Sequence, residues 1–479
     1  MMDLRIVGGT VITLDPAQRI VAADLYVNGG RIAGIGGPAK PARTILNAQG
    51  MVVIPGLLDL HDHLRDLTPG ISIGEGLRID AFLWTMWRLS EYMGPAEYRI
   101  AATLGTARLL KTGVTSVVDH LYPFHRPGLL EAAIEGYQAS GIRWFVARGI
   151  MTRPYPPICE TEGDAFRAIT SIIDQTVPKE RLLVAPVSFR QAAPSTFAKA
   201  RRFADRHGLR LYTHVAETRE EVEGIVRAHG ARPVELLHRL GFTGEDTILV
   251  HCVFLSAREI RLLSRGGTHV VHCPTNHLKL AKGVAPVIRL ITAGVNVALG
   301  VDTMDDLFSD MRQVMLVQGL MASNPGALTP QRSLEMASKG GAAALGLGTE
   351  LGSIEIGKTA DLVCVDLNAA HLQPVLDPVW TIVNRAHGHD VSHVVVAGRV
   401  VVENGRLTQV DEVALVKEVG DIAAAYLRRA GISTETVLSA VGGAMTPDAR
   451  TQRLTPRSKS RSTTSAVLRP EAPHTPAPG

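Results

Sequence analysis

The chain has 479 residues, 46% of them hydrophobic and 20% charged, with a formal net charge of +4. That length exceeds one compact core and points to about two or three domains of ordinary globular composition. From Pro447 onward six basic residues stand against two acidic ones, so the body of the chain is nearly neutral, which excludes a general nucleic-acid binder.

The N-terminus "MMDLRIVGG" has no basic segment leading into a long apolar one, so no signal peptide is expected. No apolar run approaches the roughly 20 residues of a membrane span, so no membrane association is expected. Residues 1–55 alternate short apolar runs with turn signals: "LRIVGGTVITLD", "ADLYVNGGRIAGIG" and "TILNAQGMVVIP" read as strands. "NGG" at 28–30 is a hairpin signal.

From residue 56 to 350 β-branched runs alternate with helical stretches, the signature of βαβ units. Eight strands are predicted, at 57–63, 114–120, 142–148, 183–188, 209–215, 247–252, 268–273 and 295–302. Eight such units fit an α/β (β/α)8 TIM-like barrel, whose chemistry gathers at the C-terminal ends of the strands. A second all-β block follows at 351–411, with "ADLVCVDL" and "VSHVVVAGRVVVENGRL". With 1–55 it is expected to form one small β-sandwich domain built from both ends of the chain. A helical segment is expected at 412–446. The tail from 447 to 479 is rich in Pro, Ser, Thr and basic residues and reads as disordered.

The ends of the barrel strands carry the chemistry. They finish in His61 and His63, in Asp119 and His120, in Arg148, in His214, in His251, in His272 and in Asp302. A lone histidine at a strand end is ordinarily structural; this many on one rim indicates a metal or acid–base site. Side chains at i and i+2 of a strand point the same way, so His61 and His63 both face the mouth and can bind one metal. His214 can add a third nitrogen. Asp302 can add a carboxylate that also accepts a proton from water. A bound divalent ion lowers the pKa of water from ~15.7 to about 7. Glu217 follows three residues after His214, where it either acts as general acid/base or caps the acid-rich helix "ETREE". His251 either orients the reacting water or is structural.

The four cysteines (Cys159, Cys252, Cys273 and Cys364) are scattered, without a C-x-x-C pair. A disulfide framework is therefore not expected, and a reducing, cytoplasmic setting is. Cys252 and Cys273 each follow a histidine, and strand alternation is expected to turn both against the helices as small buried hydrophobes.

The run "PGLLDLHDH", then "HVAET", "VHCVFLS", "HCPTNHLKLAKGVAPV" and "LGVD", followed by "GKTADLV" at Gly357–Val363, resembles the amidohydrolase superfamily. The branch it resembles is the metal-dependent aminohydrolases, with S-adenosylhomocysteine and guanine deaminases and the triazine and phenylurea hydrolases. The resemblance spans about residues 1–430. It implies His61, His63, His214 and Asp302 as metal ligands, with Glu217, His251 and Asp302 catalytic. Strand four ends in "VAPVSFRQ", with no lysine to be carbamylated, so one ion is expected, Zn²⁺ or alternatively Fe²⁺. It also places "IDAFLWTMWRLSEYMG" (79–94) beside the mouth, where Phe82, Trp84, Met86 and Trp87 either wall the pocket or pack the helix. His120, Arg148 and His277 are further candidate substrate contacts.

Three departures from the family pattern surround the substrate. "DTMDDLFSDM" lacks the usual Ser-Asn-Asn stretch, His277 stands where Asn is common, and Phe254 where many members have histidine. Asp305 and Asp306 either meet substrate or sit in a solvated loop. The resemblance implies a hydrolase of a non-peptide C–N bond in a small, partly aromatic substrate. Two reactions remain open: deamination of an amino-heteroaromatic ring, or cleavage of an aryl urea, amide or carbamate. The alternative is a non-catalytic binding homologue, which predicts loss of a ligand or of the acid/base; all six positions are present. Family members are often homo-oligomers, which the resemblance allows here.

Overall fold

The computed structural model describes residues 1–65, 74, 76–303 and 306–432. The tail expected to be disordered, and residues 433–446 of the expected helical segment, lie outside them, as does Asp305.

Eight parallel strands run side by side in chain order: Leu57–Asp62, Val114–Leu121, Arg143–Ile150, Leu182–Pro186, Arg210–Val215, Thr247–His251, His269–His272 and Val297–Leu299. Helices join successive strands, giving the expected (β/α)8 barrel. The first and last strands are stitched at their C-terminal ends rather than laddered. The Asp302 N–H donates to the His61 carbonyl at 2.8 Å, and the buried Asp59 carboxylate accepts the N–H groups of His61 (3.1 Å) and Val301 (3.0 Å). Asp62 repeats the device three residues further along the strand, accepting from His63 (2.7 Å) and Thr303 (3.0 Å).

Glycine admits these close approaches. A Cβ on Gly56 would lie 2.1 Å from Thr115 Oγ1, and one on Gly300 would lie 2.7 Å from the Cβ of His61. Gly300 therefore lets strand eight press against the histidine that begins the site.

The two ends of the chain build two sheets. One orders Arg31–Ile35, Leu25–Asn28, Met2–Val7 and Ala42–Asn47; the other has seven strands, with Met51–Pro55 pairing antiparallel to Leu362–Asp366. Leu4, Ile6, Val27 and Val53 from the front of the chain share a core with Leu362, Cys364 and Val395 from its back. The hairpin signal at 28–30 closes as expected, with φ of 57° at Gly29 and 73° at Gly30. Its counterpart turns at Ala397–Gly398, and the two tips touch: a Cβ on Gly398 would lie 2.7 Å from the Cα of Gly30.

A helix at Glu412–Arg429 lies along the helix Pro95–Lys111, tied by Lys111–Glu412 at 2.6 Å and Arg429–Glu97 at 2.5 Å. Among the described residues, no helix is long and apolar enough to cross a membrane.

Candidate active site

His61, His63 and His214 converge at the barrel mouth, all buried or nearly so, and each has its Nδ1 committed elsewhere. The Tyr212 hydroxyl donates its single proton to the Leu60 carbonyl at 2.7 Å, so at 2.8 Å from His61 Nδ1 it can only accept. His61 is thereby held as the Nδ1–H tautomer. His63 Nδ1 meets the His120 carbonyl at 2.9 Å, and His214 Nδ1 meets the Val187 carbonyl at 2.8 Å, which sets the same tautomer in both. Three Nε2 lone pairs then face one point.

That arrangement is repulsive without a cation. His61 Nε2 and His214 Nε2 are 3.2 Å apart. Asp302 Oδ1 lies 3.3 Å from His61 Nε2 and 3.7 Å from His63 Nε2. Ligands bonded at ~2.0–2.1 Å around a tetrahedral ion are separated by about 3.3–3.4 Å. The donor set, its spacing and its tautomers fit one divalent metal ion. Burial and the neighbouring His61 push the His214 imidazole down to about 4, and likewise push His63 well below its ordinary value. Both are therefore neutral at physiological pH, as ligands must be. Burial alone would raise the Asp302 carboxyl, but the His61 and Lys282 side chains hold it well below the carboxylate range.

Glu217 sits beside this cluster without joining it. The helix that follows, Arg219–His229, is capped by the Thr218 side chain, so Glu217 is not the cap. Its Oε1 is 3.4 Å from His251 Nε2 and 2.6 Å from Lys282 Nζ, and its Oε2 accepts from Arg190 at 2.8 Å. Burial would raise this carboxyl, yet Lys282 and Arg190 bring it down to about 2. His251 spans the site, with Nε2 4.0 Å from Asp302 Oδ2 and Nδ1 3.0 Å from His277 Nε2.

Backbone strain gathers here. Ala216, His251, Cys252, Asp302 and Thr303 all have φ between 49° and 74°, a region that non-glycine residues avoid. The turn at His251 breaks strand alternation and swings its ring over the mouth.

One wall of the pocket is the helix Ile79–Ser90, which brings Ile79, Phe82, Leu83, Met86 and Trp87 into the lining shared with Glu217 and Asp302. Trp84 faces a neighbouring cavity that shares Trp87 and Arg190 with the pocket. His120 stacks on His214 at 4.6 Å between centroids, behind the three-nitrogen cluster. Arg148 is not brought to the site: Phe145 and Ala147 turn inward, so alternation sends Arg148 outward, where it pairs with Glu160 and lies over the Phe124 ring. Asp306 caps the helix Leu307–Met321 through the Ser309 N–H at 2.8 Å.

A second expectation fails as well. Cys252 packs among the outer hydrophobic residues as expected, but Cys273 joins the interior cluster of Leu60, Tyr212, Val271 and Ala298. Strand seven turns Val271 and Cys273 inward, which leaves His272 buried on the other face, against His277 at 5.0 Å between centroids. Four contributors escaped the sequence reading: Lys282, Arg190, Tyr212 and Asp59. The lysine in the apolar run "LKLAKGVAP" and the Asp two residues before His61 were the available signals.

Residues 52–401 match the model of the Amidohydrolase family. The chain belongs to the amidohydrolase family. Among curated relatives, this amidohydrolase is 35% identical over 434 residues to a 5-methylthioadenosine/S-adenosylhomocysteine deaminase of Syntrophobacter fumaroxidans, covering 86% of this chain and 96% of the relative. It is 31% identical to a 5'-deoxyadenosine deaminase of Methanosarcina acetivorans, covering 90% of this chain and 100% of the relative. Its fold resembles that of an adenosine deaminase from Xanthomonas campestris with bound zinc, at a TM-score of 0.82, 28% identity, and coverage of 89% and 99%. An atrazine chlorohydrolase of Arthrobacter aurescens in complex with zinc follows at a TM-score of 0.81, 25% identity, and coverage of 88% and 99%. This amidohydrolase is an enzyme, a metal-dependent hydrolase of C–N bonds other than peptide bonds.

Proposed function

We propose that this amidohydrolase deaminates an amino-substituted nitrogen heteroaromatic ring, releasing ammonia. His61, His63, His214 and Asp302 hold one zinc ion, and Glu217 and His251 handle the protons. The observation that carries the reading is the buried Glu217 carboxylate, 3.4 Å from His251 Nε2, lining one pocket with His63, His214 and the apolar side chains of Phe82, Met86 and Trp87. Relatives named as deaminases of adenosine-type compounds support it.

When bound, the metal supplies water activated for attack at neutral pH. Glu217 takes the proton that the attacking water sheds and returns it to the departing amino nitrogen. The ring carbon gains an oxygen and loses ammonia, and the rest of the skeleton is unchanged. For Glu217 to carry that proton, one of its two cation partners must be drawn aside. Both line the pocket, and an acceptor atom on the ring would draw the Lys282 ammonium. Phe82, Met86 and Trp87 offer a flat apolar surface to the ring. Imidazole and carboxylate donors suit zinc, and the zinc-bound adenosine deaminase of like fold supports that choice.

The test is incubation of zinc-loaded protein with aminopurine nucleosides, aminotriazines, arylureas and arylcarbamates, followed by product mass and ammonia assay. Ammonia with an intact ring skeleton is expected. A substrate split into an aryl amine and a second fragment would replace deamination with urea or carbamate cleavage.

A further inference from the structure

Among the described residues, three groups of side chains bring metal-ligating atoms within 4.8 Å of one another. Two belong to the barrel mouth. The third is His371, His389 and Asp390, carried on two single-turn helices at Ala370–Leu372 and Gly388–Asp390. We propose that these three side chains form a second divalent-cation site, suited to zinc, nickel or copper ions, which pins one turn to the other.

The carboxylate is the anchor. The Asp390 side chain is only 5% exposed, and its Oδ2 accepts the His387 N–H at 2.8 Å, so it is held in place before any ion arrives. His371 Nε2 stands 3.2 Å from Oδ2, and His389 Nε2 stands 3.6 Å from Oδ1. These separations bracket the about 3.3–3.4 Å between neighbouring ligands of a tetrahedral ion. A simple histidine–aspartate hydrogen bond accounts for His371. It does not account for a second imidazole placed at the other oxygen. Two imidazole nitrogens and one carboxylate favour borderline transition ions over calcium or magnesium, which prefer all-oxygen sites.

The site is also open. His371 is 43% and His389 72% exposed at the side chain, leaving one side of an ion to water. The His387 ring stacks on His389 at 5.3 Å between centroids, adding a third imidazole at the edge. The turn connects to the barrel: the Gly388 N–H donates to Asp306 Oδ2 at 3.2 Å, and the other oxygen of Asp306 caps the helix that follows strand eight. An ion here would brace the support of that cap. Nothing in this inference depends on which reaction the barrel performs.

Zinc stoichiometry tests it. Full-length protein is stripped with a chelator, re-equilibrated with Zn²⁺ by dialysis, and its metal content measured. The wild type is expected to hold two equivalents. The His371→Ala/His389→Ala variant is expected to hold one. The His61→Ala/His63→Ala variant is expected to lose the other equivalent and keep this one. Co²⁺ gives a second readout: its visible bands from this site persist in His61→Ala/His63→Ala and vanish in His371→Ala/His389→Ala. Because His389 is exposed, His389→Gln alone should fold as wild type and weaken this equivalent at least tenfold. Equal zinc content in wild type and His371→Ala/His389→Ala would overturn the proposal.

Discussion

Lys282 Nζ lies 2.6 Å from Glu217 Oε1, and neither side chain is more than 7% exposed. The same ammonium donates to Asn276 Oδ1 at 2.5 Å and stands 3.7 Å from Asp302 Oδ2. One lysine therefore joins Glu217, the proposed proton carrier, to Asp302 of the proposed metal site. Removing one partner of a buried pair ordinarily costs about 3–5 kcal/mol. Here Arg190 remains on the other oxygen of Glu217 at 2.8 Å and softens that loss.

Lys282→Met is expected to lower kcat/KM about 10–100-fold with metal content unchanged, as befits a lost preorganised charge. Lys282→Arg should recover part of it. Steady-state kinetics alongside zinc analysis checks this, and a Met variant within twofold of wild type contradicts the role given to Lys282.

Tyr212→Phe removes the hydroxyl that holds the His61 tautomer, at 2.8 Å from Nδ1. Zinc affinity is expected to fall about 10–100-fold. Competition against a chromophoric chelator measures it. Unchanged affinity would mean that burial alone orients His61.

Gly300→Ala places a Cβ 2.7 Å from the Cβ of His61 and 2.9 Å from its nitrogen. Overpacking of this kind costs about 1–3 kcal/mol. The variant should melt earlier and retain less zinc. Gly224→Ala is the control, since nothing lies within 4 Å of its Cβ position; it should melt no earlier than wild type. A Gly300→Ala protein with full metal and unchanged melting would show that strand eight can shift.

His272 is buried, and burial pushes its imidazole down to about 3. A base with a depressed folded pKa adds stability above its unfolded value of ~6.5, and that stability is lost as pH falls below it. His272 should therefore destabilise the fold by up to about 1.4 kcal/mol for each pH unit below ~6.5. His272→Leu should flatten the fall in melting temperature between pH 7 and pH 5. Parallel slopes for variant and wild type would rule His272 out as a source of acid sensitivity.

The barrel was legible because its strands are short apolar runs, most of them β-branched and most ending in or beside a polar residue. The predicted strands at 57–63, 114–120 and 209–215 differ from the observed ones by at most one residue at either end. The NGG hairpin was legible for a similar local reason. Side-chain direction was less so. Alternation assigned Cys273 to the helices, but strand seven turns it inward, and the positive φ at His251 reorients a ring that periodicity alone leaves undirected. Partners distant along the chain were hidden altogether. Tyr212 meets His61 across 151 positions, and Lys282 meets Glu217 across the sixth and seventh barrel strands; no local pattern encodes either meeting.

The pairing of Met51–Pro55 with Leu362–Asp366 has a consequence for synthesis. At ~5–20 residues per second, the earlier strand leaves the ribosome roughly 15–60 s before its partner exists. Through that interval the front half of the β-domain carries an open edge while the barrel strands that follow it are still being made. The nascent chain therefore has a timed vulnerability to strand-to-strand association, and it ends when Leu362–Asp366 arrives to cover the edge of Met51–Pro55.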